Sequence, residues 1–367
     1  MHQAKEKRSL RKYGSLMIVG AVAALAFVGI THYTESVSGN AATNLKLKVD
    51  PSIQTAFNNF VSRHQRSFLT QEEYKARLAI FRDTFEAVQL HNSLESKSYK
   101  LAINKFSDMS KDEFSKFSSL QLPAEDDEEE ESNQYQEDDD DDDLLLGAPQ
   151  SLDWRDKGAV NPVFEQTKLC GACYAMSTTG AVEAAYKIKT GKLVELSKQQ
   201  ILDCAGRYGN AGCSGGYMVN AYKYMVENKL MLHKDYPYVN KNQKCQVDTT
   251  KTVTGIKGYT SLPANDPVAL FNAIQNQPVS VGVQSSKVLF HQYKSGVLDD
   301  SRCGQAIDHA MLLIGYGNDK ASGKDYWLVK NSWGEDWGDL GYVKILRDMN
   351  RGGGICGINR LGSYPTL

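Results

Sequence analysis

Cys170-Gly171-Ala172-Cys173-Tyr174 stands at the front of a stretch with helical periodicity, Ala181-Val182-x-Ala184-Ala185-Tyr186, that stops at Gly191. Apolar residues three and four apart predict a helix running from Cys173 toward Lys189, and a glycine just past its end is a usual helix stop. A cysteine at that N-terminus meets unpaired backbone N–H groups, which favour its thiolate. The chain holds seven cysteines, at 170, 173, 204, 213, 245, 303 and 356, and seven is odd. Three disulfides plus one free thiol is the pattern of an oxidising compartment with a reactive cysteine. The gap between Cys170 and Cys173 also has metal spacing, but no matching Cys/His pair follows at finger distance, so no metal is expected.

Working outward, the net charge of −2 conceals regions of opposite sign. Residues 148–367 carry 25 Lys+Arg against 19 Asp+Glu, a charge of +6, whereas residues 40–147 carry 12 against 23, a charge of −11. No clustered basic stripe is present, which argues against a nucleic-acid partner. At the start, Lys5, Lys7, Arg8, Arg11 and Lys12 precede an unbroken run of apolar and small residues from Leu16 to Ile30. That run is short for a spanning helix, which needs about 20 residues, and suits an export signal, although the long basic leader also fits an anchor. Residues 1–39 are read as a signal peptide or signal anchor, with Val37-Ser38-Gly39 as a cleavage candidate.

From Ile53 to Phe117 the apolar positions Phe57, Phe60, Val61, Tyr74, Leu78, Phe81, Phe85 and Val88 predict amphipathic helices. So short a segment has little core of its own and needs a surface to dock on. Two acidic blocks, Glu125 to Glu131 and Glu137 to Asp143, then predict a solvated linker open to proteolysis, ending at Leu144-Leu145-Leu146. Beyond Ala148 the first half reads as helix. The second half reads as strands over Val279–Val283, Ala310–Ile314, Tyr326–Val329 and Tyr342–Ile345. The expected organisation is 1–39 export segment, 40–124 helical docking segment, 125–147 acidic linker with a processing site, and 148–367 compact domain.

The Cys170–Tyr174 motif, with Asp308-His309-Ala310 lying 136 residues beyond Cys173 and Asn331-Ser332-Trp333-Gly334 after it, resembles the papain family. Residues 50 to 365 are similar to a cathepsin L-like protease precursor. Glu73-x3-Arg77-x3-Phe81-x6-Val88-x3-Asn92 and Ala102-x-Asn104-x-Phe106-x-Asp108 resemble the two pro-segment motifs, with Thr84 for Asn and Ala102 for Gly. The resemblance implies an α+β, papain-like two-lobed fold: a helical N-terminal lobe, an antiparallel β-sheet or barrel as C-terminal lobe, and a mainly helical pro-domain. It implies Cys173 as nucleophile, His309 as base, Asn331 as the group orienting the imidazole with Trp333 covering that bond, and Gln166 as oxyanion donor beside the Cys173 backbone N–H. Six residues, Thr167 to Ala172, separate Gln166 from Cys173 where the family has five, and Thr167 stands in place of a glycine, so the extra residue must bulge outward. Tyr174 replaces the commoner tryptophan.

The same resemblance implies bridges Cys170–Cys213, Cys204–Cys245 and Cys303–Cys356, with Cys173 left free. It implies substrate contacts at Gly215, Gly216 and Trp333, and a pocket of Met218, Gly282, Ala310 and Leu361 for the side chain one residue upstream of the scissile position. That lining is apolar, so Leu, Val or Phe is expected there. The implied molecule is a monomeric zymogen of the secretory pathway without cofactor, acting on protein and peptide substrates. It would reside in a lysosome or acidic vacuole, or be secreted, its own pro-segment blocking the cleft until acid weakens the −11/+6 attraction. A catalytically impaired homologue that binds peptides is the rival, motivated by the Gln166 offset and Tyr174.

Overall fold

The computed structural model describes residues 50–94, 97–123, 148–350 and 352–367. The export segment, the acidic blocks and Leu144–Leu146 lie outside the described residues. No helix among the described residues is long and apolar enough to cross a membrane.

Helix α1 spans Pro51–Arg63 and α2 spans Gln71–Ser93, each started by a side chain that accepts from an early backbone N–H: Asp50 from Ser52, Thr70 from Glu73. Such caps satisfy donors that the first turn leaves open. Phe57 meets Phe60, Phe68, Tyr74 and Phe81 at ring-centroid distances of 5.2–6.1 Å, so the periodic aromatic residues close on one another. Strand β1 (Tyr99–Leu101) and the short α3 (Lys111–Phe114) follow. The two pro-segment motifs bind these pieces together. Asn92 pairs through its amide with both backbone groups of Leu101 at 2.8 and 3.0 Å, and Arg77 clamps Glu113 and the Asp108 carbonyl.

Beyond residue 148 the helices are α4 (Cys173–Thr190), α5 (Lys198–Cys204), α6 (Met218–Glu227), α7 (Pro267–Asn276) and α8 (Val288–His291). The strands are β2 (Leu152–Asp153), β3 (Leu230–Met231), β4 (Thr252–Thr254), β5 (Gly258–Ser261), β6 (Val279–Val283), β7 (Tyr293–Leu298), β8 (His309–Asp319), β9 (Lys324–Lys330), β10 (Tyr342–Leu346) and β11 (Gly362–Thr366). Gly191 closes α4 at φ 75°, a backbone conformation that glycine adopts without penalty. The main sheet runs β1-β7-β10-β9-β8-β6-β11-β5, with β2 on β8, while β3 and β4 pair separately. It is not wholly antiparallel as expected: β7 and β10 run parallel, because the chain returns to β7 after the β8–β9 hairpin has been inserted.

Strand β8 shows why this sheet divides two cores. Met311 and Leu313 point into a cluster with Trp327, Val329 and Trp333, while Ala310, Leu312 and Ile314 point into another with Cys173, Met218 and Leu328. Alternation along a strand sends neighbours to opposite faces, and here both faces are covered. The N-terminal segment enters the same sheet. Its β1 pairs antiparallel with the β7 edge, Tyr99 opposite Gly296, where a Cβ on Gly296 would come within 2.2 Å of the Ser98 carbonyl.

Candidate active site

Cys173 is the first residue of α4, buried, and the free cysteine among the described residues. The other six are bridged as Cys170–Cys213, Cys204–Cys245 and Cys303–Cys356. The first bridge, with the Gly171 N–H on the Cys213 carbonyl at 2.9 Å, holds the approach to Cys173 against Ser214–Gly216. His309 opens β8, and pairing of β8 with β6 sets Ala310 opposite Gly282 and His309 opposite Val283. A strand of one lobe therefore delivers the imidazole to a helix end of the other.

The imidazole is held through Nε2, 2.8 Å from Asn331 Oδ1. The Ser332 N–H donates to the same oxygen at 2.8 Å, which identifies it as the carbonyl side of the amide, so His309 Nε2 must carry the proton. Nδ1 is left for the thiol. It lacks a closed hydrogen bond of ordinary geometry, and each of the two groups shifts the pKa of the other toward the charged form. Such a resting pair is often loose and tightens when substrate binds. Burial pushes the Cys173 thiol up, but the bond to and charge of His309 outweigh it and lower its pKa. Burial likewise pulls His309 down, and Cys173 together with the Asn331 bond reverses this and raises it. Each charged form stabilises the other, the condition for a thiolate–imidazolium pair. Trp333 lies 4.6 Å from the imidazole at 31° and is fully buried, so water is kept from the His309–Asn331 bond.

Gln166 is fully buried despite the extra residue after it. Its Oε1 accepts from Ser332 Oγ at 2.8 Å, its backbone N–H donates to the Ser332 carbonyl at 2.9 Å, and Tyr238 Oη donates to its carbonyl at 2.7 Å. Fixing Oε1 turns Nε2 toward the cleft. The bulge is outward: Thr167 takes φ 59°, unusual for a β-branched residue, and Leu169 is 70 % exposed. Tyr174 is buried, its hydroxyl donating to the Gly212 carbonyl at 3.2 Å.

Residues 117–121 of the N-terminal segment occupy this cleft. Gln166 Nε2 donates to the Phe117 carbonyl at 3.2 Å, and Ser119 sets its hydroxyl 3.7 Å from the Cys173 sulfur, a group with no acyl carbon to attack. Gly216 N–H donates to the Ser119 carbonyl at 3.3 Å and its carbonyl accepts from Gln121 N–H at 2.9 Å, a parallel bridge of Leu120 with Gly216. A side chain on Gly215 would collide with the Ser119 carbonyl at 2.2 Å. Leu120 is buried in the cluster that holds Met218 and Ala310, with Leu361 and Ile307 packed against it. Phe106, Phe114 and Phe117 stand edge-on to Trp333 at 5.1, 5.4 and 6.3 Å.

Sequence reasoning did not find Ser332, Tyr238 or Phe117–Gln121. Ser332 was visible only as part of its motif, and nothing in Phe-Ser-Ser-Leu-Gln marks a strand that pairs with a glycine about 95 residues away.

The papain family cysteine protease model matches residues 148–366, and the cathepsin propeptide inhibitor domain model matches residues 57–114. The chain belongs to the papain family. Cathepsin S of Bos taurus is 39% identical over 87% of this chain and 94% of its own length. The cathepsin L-like proteinase of Phaedon cochleariae is 38% identical over 86% and 94%. The solved structure of digestive procathepsin L2 from Tenebrio molitor larval midgut superposes with a TM-score of 0.76 at 34% identity, covering 86% of this chain and all of that one. This papain-family chain is thus a cysteine protease zymogen, and residues 57–114 are its inhibitory propeptide domain. Its three disulfides form in an oxidising compartment, which puts it on the secretory pathway.

Proposed function

We propose that this zymogen yields an endopeptidase that cleaves after a segment whose side chain one residue upstream of the scissile position is Leu, Val or Phe. Cys173 thiolate attacks the scissile carbonyl. The electron pair moves onto the oxygen, where Gln166 Nε2–H and the Cys173 backbone N–H receive it. His309 gives its Nδ1 proton to the leaving amine, the C–N bond breaks, and a thioester remains on Cys173. Water, deprotonated by His309, then releases the acid and restores the thiol. Asn331 holds the tautomer through both steps, and Trp333 shields that hydrogen bond.

The observation that carries the specificity is Leu120, the protein's own leucine, buried in the lining made by Met218, Ala310 and Leu361. Gly282 lets Ile307 and Leu361 close in, since a Cβ there would meet them at 2.6 Å and 3.0 Å. None of Met218, Gly282, Ala310 and Leu361 carries a carboxylate to receive Arg. Removal of residues 40–124 by a cut in the 125–147 linker, near Leu144–Ala148, frees the cleft. An acidic vacuole or the secreted milieu is the proposed site of action.

The test is a peptide library on the processed protein, with the active fraction titrated by an epoxide inhibitor of thiol proteases. Leu, Val or Phe should dominate at the position upstream of the cut, and Cys173→Ser should abolish both cleavage and labelling. Preference for Arg would reject the pocket assignment; cleavage that survives Cys173→Ser would reject the mechanism.

A further inference from the structure

The bulge between Gln166 and Cys173 is a built feature, fixed at both ends. Thr167 Oγ1 donates to Asn240 Oδ1 at 3.1 Å and accepts from the Leu169 N–H at 3.3 Å, while Cys170 is tied down by its disulfide. The two side chains between these anchors, Lys168 and Leu169, project into solvent. They also line two grooves against the pro-segment, one shared with Ser115, Lys116 and Ser119 and the other with Lys116 and Glu113.

The charges in that neighbourhood are committed except for two. Asp108 pairs with Arg66 at 3.0 Å, Glu113 pairs with Arg77, and Glu73 accepts the Leu69 N–H at 2.8 Å. Lys116 and Lys168 have no ion pair among the described residues, and both line the groove that also holds Asp108 and Glu113. The pro-segment thus leaves the Lys168 ammonium exposed and without an ion-pair partner at the rim of the cleft.

Its position along the cleft follows from the pro-segment path. Leu120 lies on Gly216 and in the Met218 lining, and Phe117 lies on Gln166 and against Trp333. A productive substrate sets its acyl part on Gly216 and Met218, so its leaving part extends past Gln166 toward the ground held by Ser115 and Lys116. Lys168 and Leu169 border that ground. We propose that Lys168 and Leu169 form a recognition lip that selects an acidic side chain within the first three residues beyond the scissile bond. The ammonium pairs with the carboxylate and Leu169 covers its methylene stem. This rests on the protease reading above and adds a preference on the other side of the bond.

The test uses the processed enzyme and quenched-fluorescence peptides with a common leucine-containing acyl part, carrying Glu, Gln or Lys at each of the three positions beyond the bond. At one position the Glu-to-Lys ratio of kcat/KM should be roughly two- to five-fold, the yield of one solvent-exposed ion pair. It should shrink toward unity in about 1 M salt, where the Debye length falls to about 3 Å. Lys168→Gln should level the ratio and Lys168→Glu should invert it. A ratio that Lys168→Glu does not move, or that salt does not reduce, overturns the lip. Failure of the parent enzyme to cut any of these peptides would instead count against the protease reading.

Discussion

The Phe117 carbonyl accepts the side-chain N–H of Gln166 at 3.2 Å, so the donor proposed for the oxyanion is occupied in the zymogen by the protein's own backbone. Gln166 is buried and its other amide atom is fixed by Ser332 at 2.8 Å, which preorganises the donor before substrate arrives. Replacing Gln166 by Ala should lower kcat of the processed enzyme by about 10²–10³-fold, the usual loss of one oxyanion donor, with KM little changed. Steady-state kinetics on a leucine-containing peptide check this. A rise in KM at constant kcat would mean that the amide binds ground state and transition state equally.

Ser332 acts on the same donor at one remove. Ser332→Ala removes the hydroxyl that fixes Gln166 Oε1 and leaves the Asn331 carbonyl bonded by the unchanged Ser332 N–H. The expected result is a loss in kcat smaller than that of Gln166→Ala, and much less than additive in the double variant, because one residue works through the other. Full additivity in the double-mutant cycle would show that the two are independent.

The pH dependence follows from the opposed shifts of Cys173 and His309. Cys173 is lowered against its burial by His309, and His309 is raised against its burial by Cys173 and Asn331. The active pair exists above the first pKa and below the second, so kcat/KM should be bell-shaped in pH. Asn331→Ala removes a bond that favours imidazolium, so the alkaline limb should move to lower pH while the acidic limb moves less. A rigid shift of both limbs, or none, would contradict this.

Particular segments show what was legible in the sequence. The alternating Val279-Ser280-Val281-Gly282-Val283 coincides with β6, because its three valines fall on one face and enter one core while the buried Ser280 on the other face bonds Tyr222 Oη at 2.8 Å. The run Ala310–Ile314 captured only the first half of β8, which continues to Asp319 because Gly315, Tyr316 and Gly317 interrupt the apolar pattern yet still pair with β9 past a bulge at Ile314. Strands β1 and β11 carry no local signal: three residues in one, glycine and proline in the other. Their conformation comes from β7, and from β5 and β6. The motifs named Cys173, His309, Asn331 and Gln166 as single residues. What joins Gln166 to Asn331, the Ser332 hydroxyl and backbone, is a contact between distant segments that no spacing records.

Acid acts on the pro-segment through two carboxylates whose pKa values are shifted in opposite directions. Burial raises the Asp108 pKa against the pull of Arg66 and Arg77, so this group gives the fold no stability that is lost as pH falls. Glu113 differs: Arg77 holds it down at about 2. A carboxyl depressed on folding contributes stability above its unfolded pKa near 4.5, and that contribution is lost as pH falls from there toward 2. Glu113→Gln removes it at every pH, so processing of the zymogen should begin at a higher pH than in the parent. Gel analysis of processing across a pH series checks this, and an unchanged onset would exclude the Arg77–Glu113 pair from the acid response.

Latency itself should depend on aromatic packing more than on charge. Phe106 is 1 % exposed and meets Phe114, Phe117 and Trp333 with ring centroids at 5.3, 5.0 and 5.1 Å, tying the pro-segment turn to the residue that covers the His309–Asn331 bond. Truncating a buried phenylalanine costs about 3–5 kcal/mol through lost burial and the cavity left behind. If most of that falls on docking, the population of open cleft rises by more than about 100-fold. Phe106→Ala should therefore hydrolyse a small leucine-containing peptide at neutral pH while the chain is still full length. Charge reversal at the exposed Lys111, on the same segment but outside this cluster, should leave the protein silent under the same conditions. A silent Phe106→Ala protein would show that the backbone pairing of Ser119–Gln121 with Gly216 holds the cleft shut without the aromatic plug.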